Sequence, residues 1–243
     1  MKNVKWNMLN ASLRKEVLTA LLSLGVLVSY NQLTINSLAG DDKGNLVPLE
    51  LKLPKLAFIG TPTDFEMSEH LEPPSDKPRP PFMAPAGVKN VAEGKKVTLS
   101  DKNPTTGEPE LVTDGDKEAT DTSFVQMHRG LQWAQIDLGE KYAIYAILVW
   151  HAHNAPQVYH DVVVRVSDDP DFVEGVKTVY NNDYDNSSGL GIGTDKEYFE
   201  TFEGRLIDAK GVTGRYVRLY SKGSTYSALN RYTEVEVFAL PAK

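Results

Sequence analysis

The sequence predicts an all-β fold, an antiparallel β-sandwich, for the part of the chain that begins at about Asn90. Short apolar stretches alternate there with turn residues, and none of them has the period of an amphipathic helix. The final stretch, Tyr232 to Ala239, shows the alternation that places side chains on opposite faces of a strand. One face carries Thr233, Val235, Val237 and Ala239, and the other carries Glu234, Glu236 and Phe238.

The same pattern predicts about eight strands in one domain, since no internal repeat divides this region. The predicted strands are Val97 to Leu99, Gln132 to Asp137, Ala143 to His151, Asp161 to Ser167, Lys177 to Asn181, Arg205 to Ala209, Arg215 to Leu219 and Tyr232 to Ala239. The segment from Asp137 to Lys141 is predicted to be a tight connection, in which Gly139 adopts a positive φ at low steric cost.

Charge and composition exclude several classes of function. The chain has 243 residues, a formal net charge of −7 and no cysteine. A nucleic-acid partner is not expected, because binding phosphates requires a surplus of Lys and Arg. The absence of cysteine excludes disulfides, thiolate metal sites and a cysteine nucleophile. The stability of an exported form must therefore come from packing, or from packing and a bound metal ion.

Residues 1–40 have the charge order of a secretory signal peptide or N-terminal anchor. Lys2, Lys5, Arg14 and Lys15 precede an apolar run from Val17 to Val28. The run is shorter than the roughly 20 apolar residues of a membrane-spanning helix. We therefore predict an exported protein, located in a periplasm, at a cell surface or outside the cell. An uncleaved anchor, which would be the one contact with a membrane, and an amphipathic helix of a cytoplasmic protein are the alternatives.

Residues 41–89 form a proline-rich segment in which no helix is expected, because each proline removes a backbone donor and restricts the preceding residue. The prolines are Pro48, Pro54, Pro62, Pro73, Pro74, Pro78, Pro80, Pro81 and Pro85. The segment is interpreted either as an exposed, semi-rigid linker or as an extended arm. In the second case, the stretches from Leu49 to Leu53 and from Leu56 to Ile59 would lie against a neighbouring surface.

Six short motifs resemble, in order, the landmarks of the discoidin family, the coagulation-factor type C domain on the galactose-binding-like fold. They are Asn90-Val91-Ala92, Val112-Thr113-Asp114-Gly115, Trp133 to Gly139, Val166-Ser167-Asp168-Asp169, Gly214 to Leu219 and Glu234-Val235-Glu236-Val237. The resemblance covers residues 90–243, which are expected to form the folded domain. It implies an eight-stranded, jelly-roll-like sandwich that binds glycans, lipids or proteins through loops at one end. Its fold does not determine the ligand.

The acidic segment from Asp114 to Asp121 places oxygen ligands around a glycine turn, which is the chemistry that calcium prefers. The segment does not fit the EF-hand pattern. The resemblance implies that a structural Ca²⁺ is held by Asp114, Asp116, Thr120 and Glu234. The alternative is a solvated acidic turn without an ion.

A second group of residues has the chemistry of a sugar-binding site. It consists of Trp150, His151, His153, Asn154 and Tyr159. In members of the family that bind sugars, an aromatic ring stacks on the sugar and polar groups from the loops fix its orientation. We expect these five residues to contact the ligand. A zinc site formed by His151, His153 and His160 is an alternative, and packing in the core is another.

The predicted function is that of a non-catalytic binding module of an exported protein, with a carbohydrate or glycoconjugate as ligand. Nucleophile elbows, zinc-protease helices and phosphate-binding loops do not occur in the sequence, so an enzyme is not expected. The alternative is a structural or assembly subunit that contacts a partner protein through the sandwich and the proline-rich arm. The arm keeps this alternative open, because a stand-alone lectin does not need so long a segment.

Overall fold

The computed structural model describes residues 45–57, 68–73, 75 and 77–242. The predicted signal peptide or anchor, residues 1–40, lies outside the described residues. Within the described ranges, no helix is long and apolar enough to span a bilayer. The regular structure there consists of ten strands and one short 3₁₀ helix, Pro109–Thr113. The prediction of an all-β, antiparallel fold is confirmed.

The strands are β1 (Leu46–Pro48), β2 (Met83–Pro85), β3 (Lys89–Asn90), β4 (Lys96–Leu99), β5 (Val125–Met127), β6 (Gln132–His151), β7 (Val163–Ser167), β8 (Lys177–Asn181), β9 (Arg205–Ser221) and β10 (Asn230–Pro241). β1 and β2 form a separate two-stranded sheet. The larger sheet has the order β3-β10-β6-β9-β7-β8, and β4 and β5 add to β6 and β10.

Two long strands, β6 and β9, connect the two layers of the sandwich. The first part of β6 pairs with β4, and its second part pairs with β10. β9 accompanies β6 along both parts, and the register shifts between Asp137 and Tyr142. Gly139, with a φ of +88°, lies at this shift. The predicted tight connection is therefore a bulge inside one strand, because the chain bends there without leaving the ladder.

Two pairs of predicted strands are continuous in the structure for this reason. Gln132 to Asp137 and Ala143 to His151 are parts of β6, and Arg205 to Ala209 and Arg215 to Leu219 are parts of β9. The core fills the space between the layers. Its side chains come from β4, β6, β7, β9 and β10 and include Ile136, Ile147, Val164, Leu219 and Val235. Each such residue contributes roughly 1.5–3 kcal/mol by leaving water.

A second apolar cluster lies on the outer face of the sheet, where the proline-rich segment covers β6 and β10. The sheet contributes Ala146, Leu148, Trp150 and Phe238. Leu49, Leu51, Phe82, Val88 and Leu206 pack against them. The described parts of the segment thus lie on the sandwich instead of standing apart from it. With Phe238 under the segment, and Glu234 and Glu236 against the turn that carries Gly115 and Lys117, β10 is buried on both faces, although its alternating sequence predicts one polar face.

Arg79 holds this covering segment against the loop that precedes β9. Its guanidinium donates hydrogen bonds to the carbonyl oxygens of Gly204 (2.8 Å) and Glu203 (3.0 Å). The indole nitrogen of Trp150 donates to the carbonyl of Phe202 in the same loop (2.9 Å). The loop is therefore fixed from both sides, by the segment and by the sheet.

We expect Gly204→Ala to destabilise the fold more than Gly94→Ala. Both glycines have positive φ, +63° and +65°, so alanine at either costs about 1–2 kcal/mol in backbone strain. A Cβ at position 204 would lie 2.6 Å from the Trp150 ring, whereas a Cβ at 94 meets nothing within 4 Å. Overpacking should add about 1–3 kcal/mol at position 204.

Urea denaturation of the two variants measures this difference in the free energy of unfolding. Equal losses in both variants would show that the Trp150 ring moves aside without cost.

Candidate functional site

Four of the five predicted ligand residues are buried. Trp150 and His151 are 0% exposed, and His153 and Tyr159 are 1% exposed. Asn154 is exposed, and its side-chain amide donates to Asp121 (3.2 Å). This arrangement gives no support to the prediction that these four residues contact a ligand. Trp150 packs in the apolar cluster on the outer face of the sheet, whereas Tyr159 packs in the core between the layers and His151 stacks on it.

The three histidines of the zinc hypothesis have three different partners. His151 Nδ1 lies 2.6 Å from Glu200 Oε1 in the core, and its ring stacks on Tyr159 with the centroids 4.2 Å apart. His153 Nε2 lies 2.9 Å from the Lys117 carbonyl oxygen. His160 Nδ1 lies 3.5 Å from Glu197 Oε1. This arrangement gives no support to a zinc site that all three share.

The predicted calcium ligands form two small groups. Ser123 donates to Asp116 (3.0 Å), and its hydroxyl lies 2.5 Å from that of Thr120. The Gly115 N–H donates to Glu234 (3.2 Å), and Asp114 accepts from the Asp116 N–H (2.8 Å). Asp114, Asp116 and Thr120 are exposed, whereas Glu234 is buried.

Glu234 is a buried carboxyl with one unpartnered oxygen. Its Oε1 atom is buried and has no hydrogen-bond partner among the described residues. Burial raises the pKa of Glu234 to about 9, with Glu236 and Asp114 adding to the rise and the Gly115 N–H opposing it. The ammonium of Lys117 contacts Glu236 and lies 5.1 Å from the centre of the Trp150 ring. The pair formed by Glu234 and Glu236 thus has one positive neighbour, the Lys117 ammonium, and Glu234 Oε1 is left without a partner.

An open polar cleft lies at one end of the sandwich, where three loops meet. These loops are residues 152–162 between β6 and β7, 182–204 between β8 and β9, and 222–229 between β9 and β10. The cleft has a volume of about 260 Å³. It is lined by His160, Asp161, Tyr184, Asp185, Ser187, Glu197 and Lys222.

Hydrogen bonds between the loops fix the floor of this cleft. Ser187 donates to Asp161 (2.5 Å), and the ammonium of Lys222 lies 3.5 Å from the same carboxylate. Asp183 accepts from the backbone N–H groups of Ser187 (3.0 Å) and Ser188 (2.9 Å). Carboxylate oxygens of Asp161, Asp183 and Asp185 come within 4.8 Å of one another. The loops therefore have a defined geometry without a bound ligand.

The carboxylates also determine the electrostatics of the cleft. Burial raises the pKa of the Tyr184 phenol, and Glu197, Asp185, Asp161 and Asp183 raise it further. A hydrogen bond with His160 lowers the pKa of Glu197, and Ser68 contributes in the same direction against burial. The cleft thus combines ionised acceptors with an ammonium, an imidazole and an aromatic ring.

A larger cleft, of about 660 Å³, lies between the proline-rich segment and residues 198–206. Its two guanidinium groups are already paired within the chain. Arg79 donates to the Gly204 and Glu203 carbonyl oxygens, and Arg205 lies 2.7 Å from Glu72. The guanidinium of Arg205 also lies over the rings of Tyr180 and Tyr198. These contacts indicate a structural junction.

Residues 111–219 match the family model described as NedA-like, galactose-binding domain, of the F5/F8 type C group. This part of the chain is therefore similar to the type C family. The resemblance to the discoidin family is therefore confirmed. The type C match includes the β6, β7 and β8 strands and most of β9, and it ends before Lys222 of the cleft.

Several solved structures are similar to the type C domain. One is CBM32 of AlyQ in complex with 4,5-unsaturated mannuronic acid (19% identity, 59% of this chain and 93% of that chain, TM-score 0.43). Another is the Streptococcus pneumoniae fucose binding module SpX-3 (18% identity, 64% of this chain and 99% of that chain, TM-score 0.44). A third is chitosan-binding module 1 from a chitosanase/glucanase of Paenibacillus sp. IK-5 (21% identity, 61% of this chain and 98% of that chain, TM-score 0.42). No curated protein was found to match the sequence.

The polar stretch from Asn181 to Ser188 supplies Tyr184, Asp185 and Ser187 to this cleft. His160 was considered for zinc alone. Glu197 and Lys222 were missed, because each is an isolated polar residue in a loop and no local pattern distinguishes it.

We expect Glu197 to make stability depend on pH in acid. The pKa of Glu197 in the folded state is lower than its usual value of 4.5. Its contribution to the stability of the fold is therefore fully present above pH 4.5 and is lost as the pH falls through the folded-state pKa. Wild type should therefore exceed Glu197→Gln in thermal midpoint at pH 7, and the gap should narrow below about pH 4.5. Glu110→Gln, at an exposed position, is the control.

A gap that stays constant from pH 7 to pH 3 would contradict an ionised, hydrogen-bonded Glu197.

Proposed function

We propose that the chain is a non-catalytic, carbohydrate-binding module of an exported protein and that the polar cleft is its sugar site. The observation that carries the proposal is the meeting of His160, Glu197 and Lys222 beside the Tyr184 ring in one open cleft. The type C match, to a family described as galactose-binding, supports the same ligand class.

The cleft offers the contacts that a sugar requires. Sugar hydroxyls both donate and accept, so carboxylates can accept from them, an ammonium can donate to them and an imidazole can do either. Tyr184 is 47% exposed and offers ring surface to the apolar face of a sugar. The volume of about 260 Å³ lies just below the range of roughly 300–1,000 Å³ for sites of drug-sized ligands. One sugar unit is the ligand size that fits.

The carboxylates of the cleft are suited to accepting hydrogen bonds and not to donating a proton. A general acid at neutral pH needs a raised pKa. Hydrogen bonds from Ser187 and Ser188 instead lower the pKa of Asp183, although burial opposes them. The pKa of Glu197 is lowered as well. Groups that stay ionised can accept hydrogen bonds from a ligand, and they cannot supply the proton that a general acid gives to a leaving group.

We expect Tyr184→Ala and Lys222→Ala to weaken sugar binding by about tenfold each, since a lost stacking or charged contact costs about 1–2 kcal/mol. Tyr226→Ala is the matched control, because this tyrosine is also exposed but does not line the cleft. A glycan array selects the sugar, and titration calorimetry of the three variants measures the affinity.

The proposal fails if the array stays blank with folded protein, or if Tyr184→Ala and Lys222→Ala bind as wild type does.

We also propose a structural calcium ion at the acidic turn, held by Glu234 and Asp114, with Asp116 and Thr120 turning from Ser123 to complete the site. The unpartnered buried oxygen of Glu234 supports this proposal. A bound ion would neutralise the buried carboxylates and fix the turn, which lies at the same end of the sandwich as His153. Calcium would then act on stability and not on the sugar directly.

Calcium at 100 times its Kd should stabilise the wild-type fold by about 2.7 kcal/mol, whereas Glu234→Gln should show no such gain. Asp121→Asn, in the same loop, should respond as wild type does. Thermal denaturation with calcium and with a chelator measures the shift. An unchanged wild-type midpoint would show that Lys117 alone supplies the positive charge at this turn.

An assembly role is the second candidate function, and the exposed apolar side chains of the proline-rich segment favour it. They are Leu46, Val47, Leu53, Leu56 and Met83, between 37% and 53% exposed. A partner protein could cover them. Deleting the segment does not separate the two candidates, because the deletion would also uncover Leu148, Trp150 and Phe238.

A further inference from the structure

We propose that the arm, defined here as residues 68–72, supports one wall of the sugar cleft and that His70 is a positioning residue for the Tyr184 ring. This inference rests on the proposed function, because it concerns the same cleft. The arm precedes the residues that match the type C family, so the family match does not assign it a role.

Backbone hydrogen bonds fix the arm beside the cleft. Leu71 forms a parallel bridge with Glu197. The Glu72 N–H donates to the Glu197 carbonyl, and the Glu197 N–H donates to the His70 carbonyl, both at 2.9 Å. Leu71 is only 5% exposed and anchors the segment. The backbone at His70 is therefore held in a defined position, from which its side chain extends.

The imidazole of His70 stacks on the phenol ring of Tyr184. The two centroids are 3.8 Å apart and the ring planes differ by 9°. Tyr184 lies in the loop after β8 and lines the cleft. Because His70 covers one face of the ring and the residue is still 47% exposed, the surface open to a sugar is the opposite face and the edge. Without His70, an exposed tyrosine would occupy several rotamers and lose orientation.

The arm also fixes a second lining residue. The Ser68 hydroxyl donates to Glu197 Oε2 (3.0 Å), while His160 Nδ1 lies 3.5 Å from Oε1 of the same carboxylate. The two oxygens are thus held from opposite sides, one from the arm and one from the sandwich. The aromatic surface and one carboxylate of the cleft consequently depend on residues outside the family match.

The experiment compares His70→Ala, His70→Phe and Tyr184→Ala in the full chain. The probes are methyl glycosides of galactose, fucose, glucosamine and N-acetylglucosamine, titrated by calorimetry. His70→Ala should weaken binding by roughly tenfold, as loss of an oriented stacking contact implies. His70→Phe restores a flat ring and should bind within about twofold of wild type. Thermal midpoints and limited proteolysis show whether the arm stays docked in each variant.

A measurement without sugar tests the stack itself. Ring-proton shifts of isotope-labelled Tyr184 should move upfield in wild type and His70→Phe and return toward the free value in His70→Ala. Tyr184→Ala identifies the resonance. Unshifted Tyr184 resonances in wild type would overturn the inference whatever the sugar result.

The two levels of the proposal fail in different ways. Loss of binding in Tyr184→Ala with full binding in His70→Ala would overturn the positioning role and leave the sugar function standing. Equal loss in His70→Ala and His70→Phe, with the stack intact in the latter, would also overturn it. A folded wild-type chain that binds neither the four glycosides nor any glycan of the array would overturn both the function and the inference.

Discussion

Coverage of the outer face of the β6–β10 sheet is the constraint on which the other features depend. A sheet in a sandwich normally buries one face, but here Leu148, Trp150 and Phe238 occupy the second face. Residues that precede the sandwich cover them, through Leu49, Phe82 and Val88. Arg79 then ties this covering segment to the loop before β9. The same loop holds the Trp150 indole, so the cover, the sheet and the loops form one packed unit.

Burial of both faces also explains the charged groups inside the domain. Glu234 and Glu236 occupy the outward positions of β10 and are enclosed by the acidic turn, where the ammonium of Lys117 meets Glu236. A carboxylate that is enclosed needs either a positive partner or a proton. Burial therefore favours the protonated form of Glu234 and raises its pKa. His151 and Glu200 form the corresponding hydrogen-bonded pair near the loop end. The polar groups near the loop end of the sandwich are thus of two kinds: enclosed pairs such as His151 and Glu200, and the groups that line the open cleft.

The sequence predicted the strands well because alternation and turn residues are local signals. β4, β6, β7, β8, β9 and β10 all lie where the pattern predicted strands. β1, β2, β3 and β5 were missed, because strands of two or three residues carry no period. The ligand prediction for Trp150, His151 and Tyr159 rested on residue type alone, because nothing local to them shows that Trp150 lies under residues 49–88 and that His151 and Tyr159 pack between the layers. The cleft was not predicted for the same reason, because its lining side chains come together only when the three loops and the arm have folded.

The most direct test of the central claim is to map where a sugar binds. Backbone amide shifts of the labelled chain, followed during titration with the best glycoside from an array, report contact residue by residue. Binding in the cleft predicts saturable shifts at positions 160–161, 184–187, 197 and 222, with Trp150 and His151 unaffected. Shifts confined to the opposite end of the sandwich, or to the 660 Å³ cleft beside Arg79, would contradict the account.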